Sequence, residues 1–175
     1  MGADRVGVLF DYFRAPDGET ALRLLDRGNG VPAGPATIGT GVDALDAKGI
    51  DPFVILGRLV GLILAVPSSV DLVRTAGVWP PEETKPRSLE EMNRLPEDSP
   101  WNTGPWLEEL DDRIRDAFAE ADDYALPWIA DRWARIEEFD GHMDATFALG
   151  IIEDFVALAR RARRADDRLY CWMCL

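Results

Sequence analysis

The chain has 175 residues, 47% of them hydrophobic, with 19 Lys and Arg against 32 Asp and Glu, a formal charge of −13. That apolar content excludes wholesale disorder, and at this length about two-thirds of the unfolded surface can be buried without help from disulfides or metals. The negative balance excludes a basic footprint for nucleic acid over the whole chain and disfavours a general attraction to anionic membranes.

The opening residues lack the order of a signal peptide: the apolar run Val6 to Phe10 is short and meets Asp11 at once. Val6 stands where a myristoylation signal places Ser or Thr. The apolar uncharged stretch Leu59 to Val70 is broken by Pro67 and falls short of the roughly twenty residues a bilayer helix needs. A cytoplasmic location is therefore expected, with no membrane span and no direct nucleic-acid contact. Only Lys48 and Lys85 are lysines. This bias toward arginine fits a high-GC bacterial genome and is read as background.

Val6 to Phe13 reads as a first strand, with Val6, Val8, Phe10 and Tyr12 on one side and Leu9 and Phe13 on the other, so that both faces are partly covered. Asp17 precedes a helical pattern with Ala21, Leu24 and Leu25 inward, closed by Gly28 and Gly30. Residues 28–41 form an irregular Gly/Pro loop with a short strand expected near Ala36 to Ile38. Their glycines spell neither a phosphate loop nor a dinucleotide fingerprint. Asp43 to Gly49 is expected to make a helical turn around Leu45. Asp51-Pro52 then starts a helix with Phe53, Leu56, Leu59, Val60 and Ile63 on its apolar face, the most buried of the fold, which Pro67 stops.

Residues 69–76 are open between turn and helix, and Gly77 to Trp79 reads as a brief strand. Ser88 and Glu91 form a capping box for a short helix to Leu95, with Leu89, Met92 and Leu95 inward. Trp106 to Leu110 reads either as a strand before a helix capped by Asp111 or as the front of one longer helix; the shorter helix, with Ile114, Phe118 and Ala121 inward, is preferred because Asp111 and Asp112 suit its positive end. Pro127 opens a helix with Ile129, Trp133 and Ile136 on one face. Asp144 caps the longest periodic segment, Ala145 to Arg164, with a stripe of Phe147, Ile151, Phe155, Leu158 and Ala162 flanked by Ile152, Val156 and Ala159. Leu169 to Cys174 looks extended and suits a strand added to the sheet.

The charge is uneven: residues 101–156 hold a net −11 and residues 157–175 a net +3. Glu108, Glu109, Asp112, Asp116, Glu120 and Asp123 are either a solvated face or a surface that steers a basic partner. The arginines at 160–168 fit helix-end chemistry and salt bridging. Trp79, Trp101 and Trp106 stand at proline-rich loop edges, where they either line a cleft or tie the loop down. Cys171 and Cys174 form one C-x-x-C, but residues three apart on a strand face opposite sides, and a zinc site wants four ligands. His142 sits in a turn without a nucleophile nearby in sequence. No catalytic residue, metal or cofactor is expected.

The strand ending in DYFRAP, the segment VDALDAKGIDPFVILGRL and the later WP resemble the YfbM-like family of small bacterial proteins of unknown function. The resemblance covers Val6 to Phe13, Asp17 to Asp26 and Leu45 to Leu59, and implies a single α+β domain. It brings no site residues. The whole reading is one α+β domain over residues 1–175, with a small mixed β-sheet near the termini, four to five helices and an irregular Pro-rich loop around 80–105. The expected role is a non-enzymatic interaction module, inhibitor-like or immunity-like toward a basic protein. The alternatives are a small-ligand or enzymatic domain with a tryptophan-lined cleft, and a thiol or metal module at Cys171 and Cys174.

Overall fold

The computed structural model describes residues 8–35, 41–47, 49–69 and 71–175. Five strands form one sheet: β1 (Leu9–Ala15), β2 (Ala44–Asp46), β3 (Thr75–Trp79), β4 (Trp106–Leu110) and β5 (Arg168–Cys174). Their order is β2-β1-β5-β4-β3, and every described pairing is antiparallel. Among the described residues seven α-helices accompany them: α1 (Gly18–Leu25), α2 (Ile55–Leu64), α3 (Leu89–Asn93), α4 (Pro100–Thr103), α5 (Asp112–Ala119), α6 (Leu126–Trp133) and α7 (Ala145–Ala165). The α+β class stands. The mixed sheet near the termini and the four to five helices are corrected, because internal segments supply three of the five strands and local caps create extra short helices.

β5 follows α7 and occupies the centre of the sheet, paired to β1 along its whole length and to β4 through Trp106↔Met173 and Glu109↔Tyr170. It is thus no appended edge. Its alternation divides the apolar residues between two cores. Leu169, Cys171 and Met173 join Tyr12, Leu56, Leu59, Val60, Phe118, Trp133, Ile152 and Phe155 in a first core. Tyr170 and Trp172 join Phe13, Ala15, Ala21, Leu25 and Leu107 in a second, beneath α1. The expected coverage of both faces of β1 is observed, and α2 and α7 meet in the first core. Each large side chain fully buried there contributes roughly 1.5–3 kcal/mol, against about 0–1 kcal/mol for an exposed ion pair, so the cores decide the fold.

The caps follow the sequence. Asp17, Asp111 and Asp144 accept amide hydrogens at the starts of α1, α5 and α7. The Asp51 carboxylate accepts three, from Phe53, Val54 and Ile55. α2 ends at Ala65 in the left-handed region, before Pro67 is reached, and the returning chain brings the Val66 carbonyl to 3.1 Å from where a Cβ on Gly61 would stand. The buried aromatics pin irregular segments. Tyr12 donates to the Ile50 carbonyl (2.7 Å), Trp133 Nε1 to Ile55 (3.0 Å) and Trp172 Nε1 to Pro32 (3.1 Å).

Several expectations fail for identifiable reasons. Asp43 to Gly49 is not a helical turn; the free edge of β1 captures Ala44–Asp46 as a strand, and Ala47 N–H donates to the Phe10 carbonyl. Ser88 caps α3 through the Glu91 amide while the Glu91 carboxylate reaches back to the Arg87 amide, but no layer lies beneath α3, so Leu89 is 77% exposed and Met92 also faces outward. Phe53 and Phe147 are exposed because they precede the packed turns of α2 and α7; Ala148, Ile152, Phe155 and Ala159 carry the contact of α7 instead. The strand expected at Ala36 to Ile38, like Val6 at the start of the first strand, lies outside the described residues. The loop around 80–105 contains a 3₁₀ turn at Glu82–Thr84 as well as α3 and α4.

A charge network locks β2 to the rest. Asp43 accepts from Arg14 Nε (2.6 Å) and from Arg161 Nε and Nη2 (2.8 and 2.7 Å), while Arg14 Nη1 reaches the nearly buried Asp167. The Arg161 guanidinium, with that of Arg14, holds the Asp43 carboxyl down to about 2 from its ordinary 3.8. A carboxylate with a depressed folded-state pKa stabilises fully above its unfolded value and loses that contribution as pH falls through the folded one. Urea unfolding from pH 5 to pH 2 should therefore show Asp43→Asn less stable by about 1–2 kcal/mol at pH 5, with the gap closing toward pH 2. A gap constant with pH would contradict this role.

Candidate functional site

β3 and β4 build the floor of the candidate site. Trp106 and Glu108 alternate onto one side of β4 while Leu107 and Glu109 take the other, as the partners of Leu107 in the second core require. Gly77 lies opposite Glu108 in the register, and a β-bulge between Gly77 and Trp79 breaks the alternation of β3. Val78 and Trp79 consequently both pack toward the second core. The chain then turns through cis Pro80 and the 3₁₀ turn to form one wall, and α4 forms another.

Between them lies a cavity of about 490 Å³ lined by residues that include Thr75, Gly77, Trp79, Glu82, Lys85, Trp101, Trp106 and Glu108. The three tryptophans singled out from the sequence therefore meet at one cleft. Trp101 does so while also tying the walls together, since its Nε1 donates to Thr84 Oγ1 (2.9 Å). Trp106 is held from below by Gly104, whose φ of +73° and 2.9 Å approach of the indole to a notional Cβ both demand glycine. Trp79 Nε1 is buried with no hydrogen-bond partner among the described residues, in contrast to the indoles of Trp101, Trp133 and Trp172.

The cleft holds two carboxylates and one ammonium. Lys85 Nζ pairs with Glu82 Oε1 at 3.1 Å, and both side chains are more than half exposed. Glu82 Oε2 comes within 3.4 Å of the place a Cβ on Gly77 would take, so the bare glycine leaves room at the floor. Burial pushes the Glu108 carboxyl above its ordinary range, opposed by its hydrogen bond with Thr75 and by the charge of Lys85, and reinforced by the charge of Glu82.

The other acidic candidates are elsewhere and are engaged. Glu109 pairs with Arg168 and accepts from Tyr170 Oη (2.9 Å). Asp112 and Asp116 flank Arg115 at 3.4 and 2.9 Å, Glu120 pairs with Arg163 at 2.9 Å and Asp123 with Arg160 at 2.8 Å. Arg160 and Arg163 of α7 thus pair with acids just past the end of α5, in keeping with the salt bridging expected of that cluster. A second cavity of about 510 Å³, against α7, is lined by Asp123, Glu153, Arg160, Arg161 and Arg164, with Arg160 and Arg161 already committed to Asp123 and Asp43.

Cys171 is buried in the first core and Cys174 packs partly buried against the second, on the other side of the sheet. They do not form a disulfide. His142 lies exposed in the turn before α7. Among the described residues there is no group of three or more His, Cys, Asp or Glu that could hold a metal, and no helix is long and apolar enough to cross a membrane.

Glu82, Lys85 and Gly77 escaped the sequence reading, and Glu108 was placed on the acidic face with Glu109. The alternation of Trp106 to Leu110 carried the signal that separates the two glutamates. No such pattern marks Glu82 or Lys85, which a turn brings in. No family model, curated protein or solved structure matches the chain.

Replacing Gly104 by Ala should cost about 1–3 kcal/mol in urea unfolding, since both its backbone and the Trp106 indole must shift. An unchanged midpoint would show that Trp106 is not held this way. Burial raises the pKa of both thiols, that of Cys171 far more strongly. The native protein should therefore take up a single equivalent of a thiol reagent, slowly and at Cys174, with Cys171 reacting only on unfolding. Fast labelling of both in the folded state would restore the thiol-pair reading.

Proposed function

We propose that this protein is a non-enzymatic binding module of the cytoplasm whose working site is the tryptophan-lined cleft, and that its partner carries positive charge. The observation that carries this reading is the convergence of Trp101, Trp106, Glu82 and Glu108 from separate segments around one cavity of about 490 Å³. Concave sites lined by aromatics with a few placed polar groups are the ordinary form of a recognition pocket. The net charge of −13 supplies a long-range attraction for a basic partner, while the cleft supplies the local contact. An inhibitor-like or immunity-like role toward a basic protein fits both. Binding is favoured over turnover because the lining contains neither histidine nor cysteine, and Glu82 is engaged with Lys85.

Affinity capture from native lysate, quantified by mass spectrometry, tests the reading. The wild type should enrich a basic protein at low salt and lose it at high salt, and Trp101→Ala and Glu108→Gln should each reduce that enrichment severalfold while retaining the wild-type circular dichroism spectrum. Capture that is indifferent to both substitutions, or to salt, would overturn the proposal.

A further inference from the structure

We infer that the cleft is a receptor for a guanidinium group, whether of a free small molecule or of an arginine side chain on the partner. The inference rests on the reading of the cleft as the working site and names its ligand chemistry. The lining combines aromatic surface from Trp101 and Trp106 with carboxylates at two levels, Glu108 at the floor and Glu82 at the wall. Aromatic faces attract cations through their quadrupole, and carboxylates add charge-assisted hydrogen bonds. Guanidinium is the biological cation suited to both at once: it is flat, weakly hydrated and presents its donors as a fork.

The charge balance agrees. Two carboxylates face one ammonium, leaving the cleft one negative charge in excess when both are ionised. Lys85 is ion-paired to Glu82 by exposed side chains that can part with little cost, so an entering cation can replace it on Glu82. Among the described residues Glu108 makes no ion pair; its neighbours are Thr75 and the charges of Lys85 and Glu82. It sits half-buried where an incoming cation would restore the charge stabilisation that burial removes. Gly77 provides the space: its backbone is ordinary strand, so a larger residue is conformationally tolerated there but projects toward Glu82.

The test is a titration followed by intrinsic tryptophan fluorescence, with three probes. Agmatine represents the free cation, N-acetyl-Gly-Arg-Gly amide represents an arginine side chain, and the same blocked tripeptide with citrulline in place of arginine is a neutral control of nearly the same shape. One or both guanidinium probes should saturate, with the citrulline peptide weaker by about tenfold or more, as loss of a charge-assisted contact implies. Glu108→Gln should weaken guanidinium binding by a similar factor by removing charge, and Gly77→Val by filling the floor with every charge and tryptophan kept. Tighter binding of the peptide than of agmatine assigns the ligand to a protein, and the reverse to a small molecule. Equal binding of the arginine and citrulline peptides, blocked by Gly77→Val, would overturn the guanidinium inference and leave the cleft as a site. Absence of saturable binding by any probe, with lysate capture still sensitive to Trp101→Ala, would also overturn it while sparing the proposed function.

Discussion

β5 is hydrogen-bonded along both edges and buried on both faces, and the arrangement of the other elements follows from that constraint. A strand so placed must be apolar on both sides, and Leu169, Tyr170, Cys171, Trp172 and Met173 meet the requirement without interruption. Its odd positions anchor the core shared by α2, α5, α6 and α7, and its even positions anchor the core beneath α1. Because β4 pairs with β5, the same alternation sends Glu109 to Tyr170 and Arg168 while Glu108 passes to the cleft side. The site is thus positioned by the register of the central strand rather than by the loop that encloses it.

Much of this was legible in the chain. The caps at Asp17, Ser88, Asp111 and Asp144 are local events, in which a side chain three or fewer residues away accepts the amide, so sequence spacing was enough to place them. Periodicity identified α7 and the inward residues Phe155, Leu158 and Ala162. It misplaced Phe147, whose apolar character satisfies the helical repeat although the neighbouring elements end before reaching it. Long-range pairing was less visible. Nothing local tells Ala44–Asp46 that the edge of β1 awaits it, or that Arg14 and Arg161, far apart in sequence, will both close on Asp43. The central place of β5 was hidden for the same reason, since strand order is decided by partners distant in the chain.

The charge pattern shows a similar division. The excess of acid in residues 101–156 and of base after them is plain from composition, yet the two blocks largely meet each other in the folded protein. Arg160, Arg163 and Arg168 find Asp123, Glu120 and Glu109. An acidic face read from sequence as a surface for others is therefore partly consumed internally. The three tryptophans of the loop fared differently. Their expected cleft is present, and the groups that give it chemistry, Glu82, Lys85 and Glu108, become neighbours through a turn, a bulge and strand pairing.

The most direct measurement of the central claim is a ¹H–¹⁵N spectrum of the indole N–H groups, assigned by single Trp→Phe replacements and recorded with increasing agmatine or arginine peptide. The resonances of Trp101 and Trp106 should move together along a saturating curve while those of the core residues Trp133 and Trp172 stay fixed. Movement confined to the exposed Trp128, or uniform drift of all six, would show that the cleft does not receive the ligand and would contradict the account.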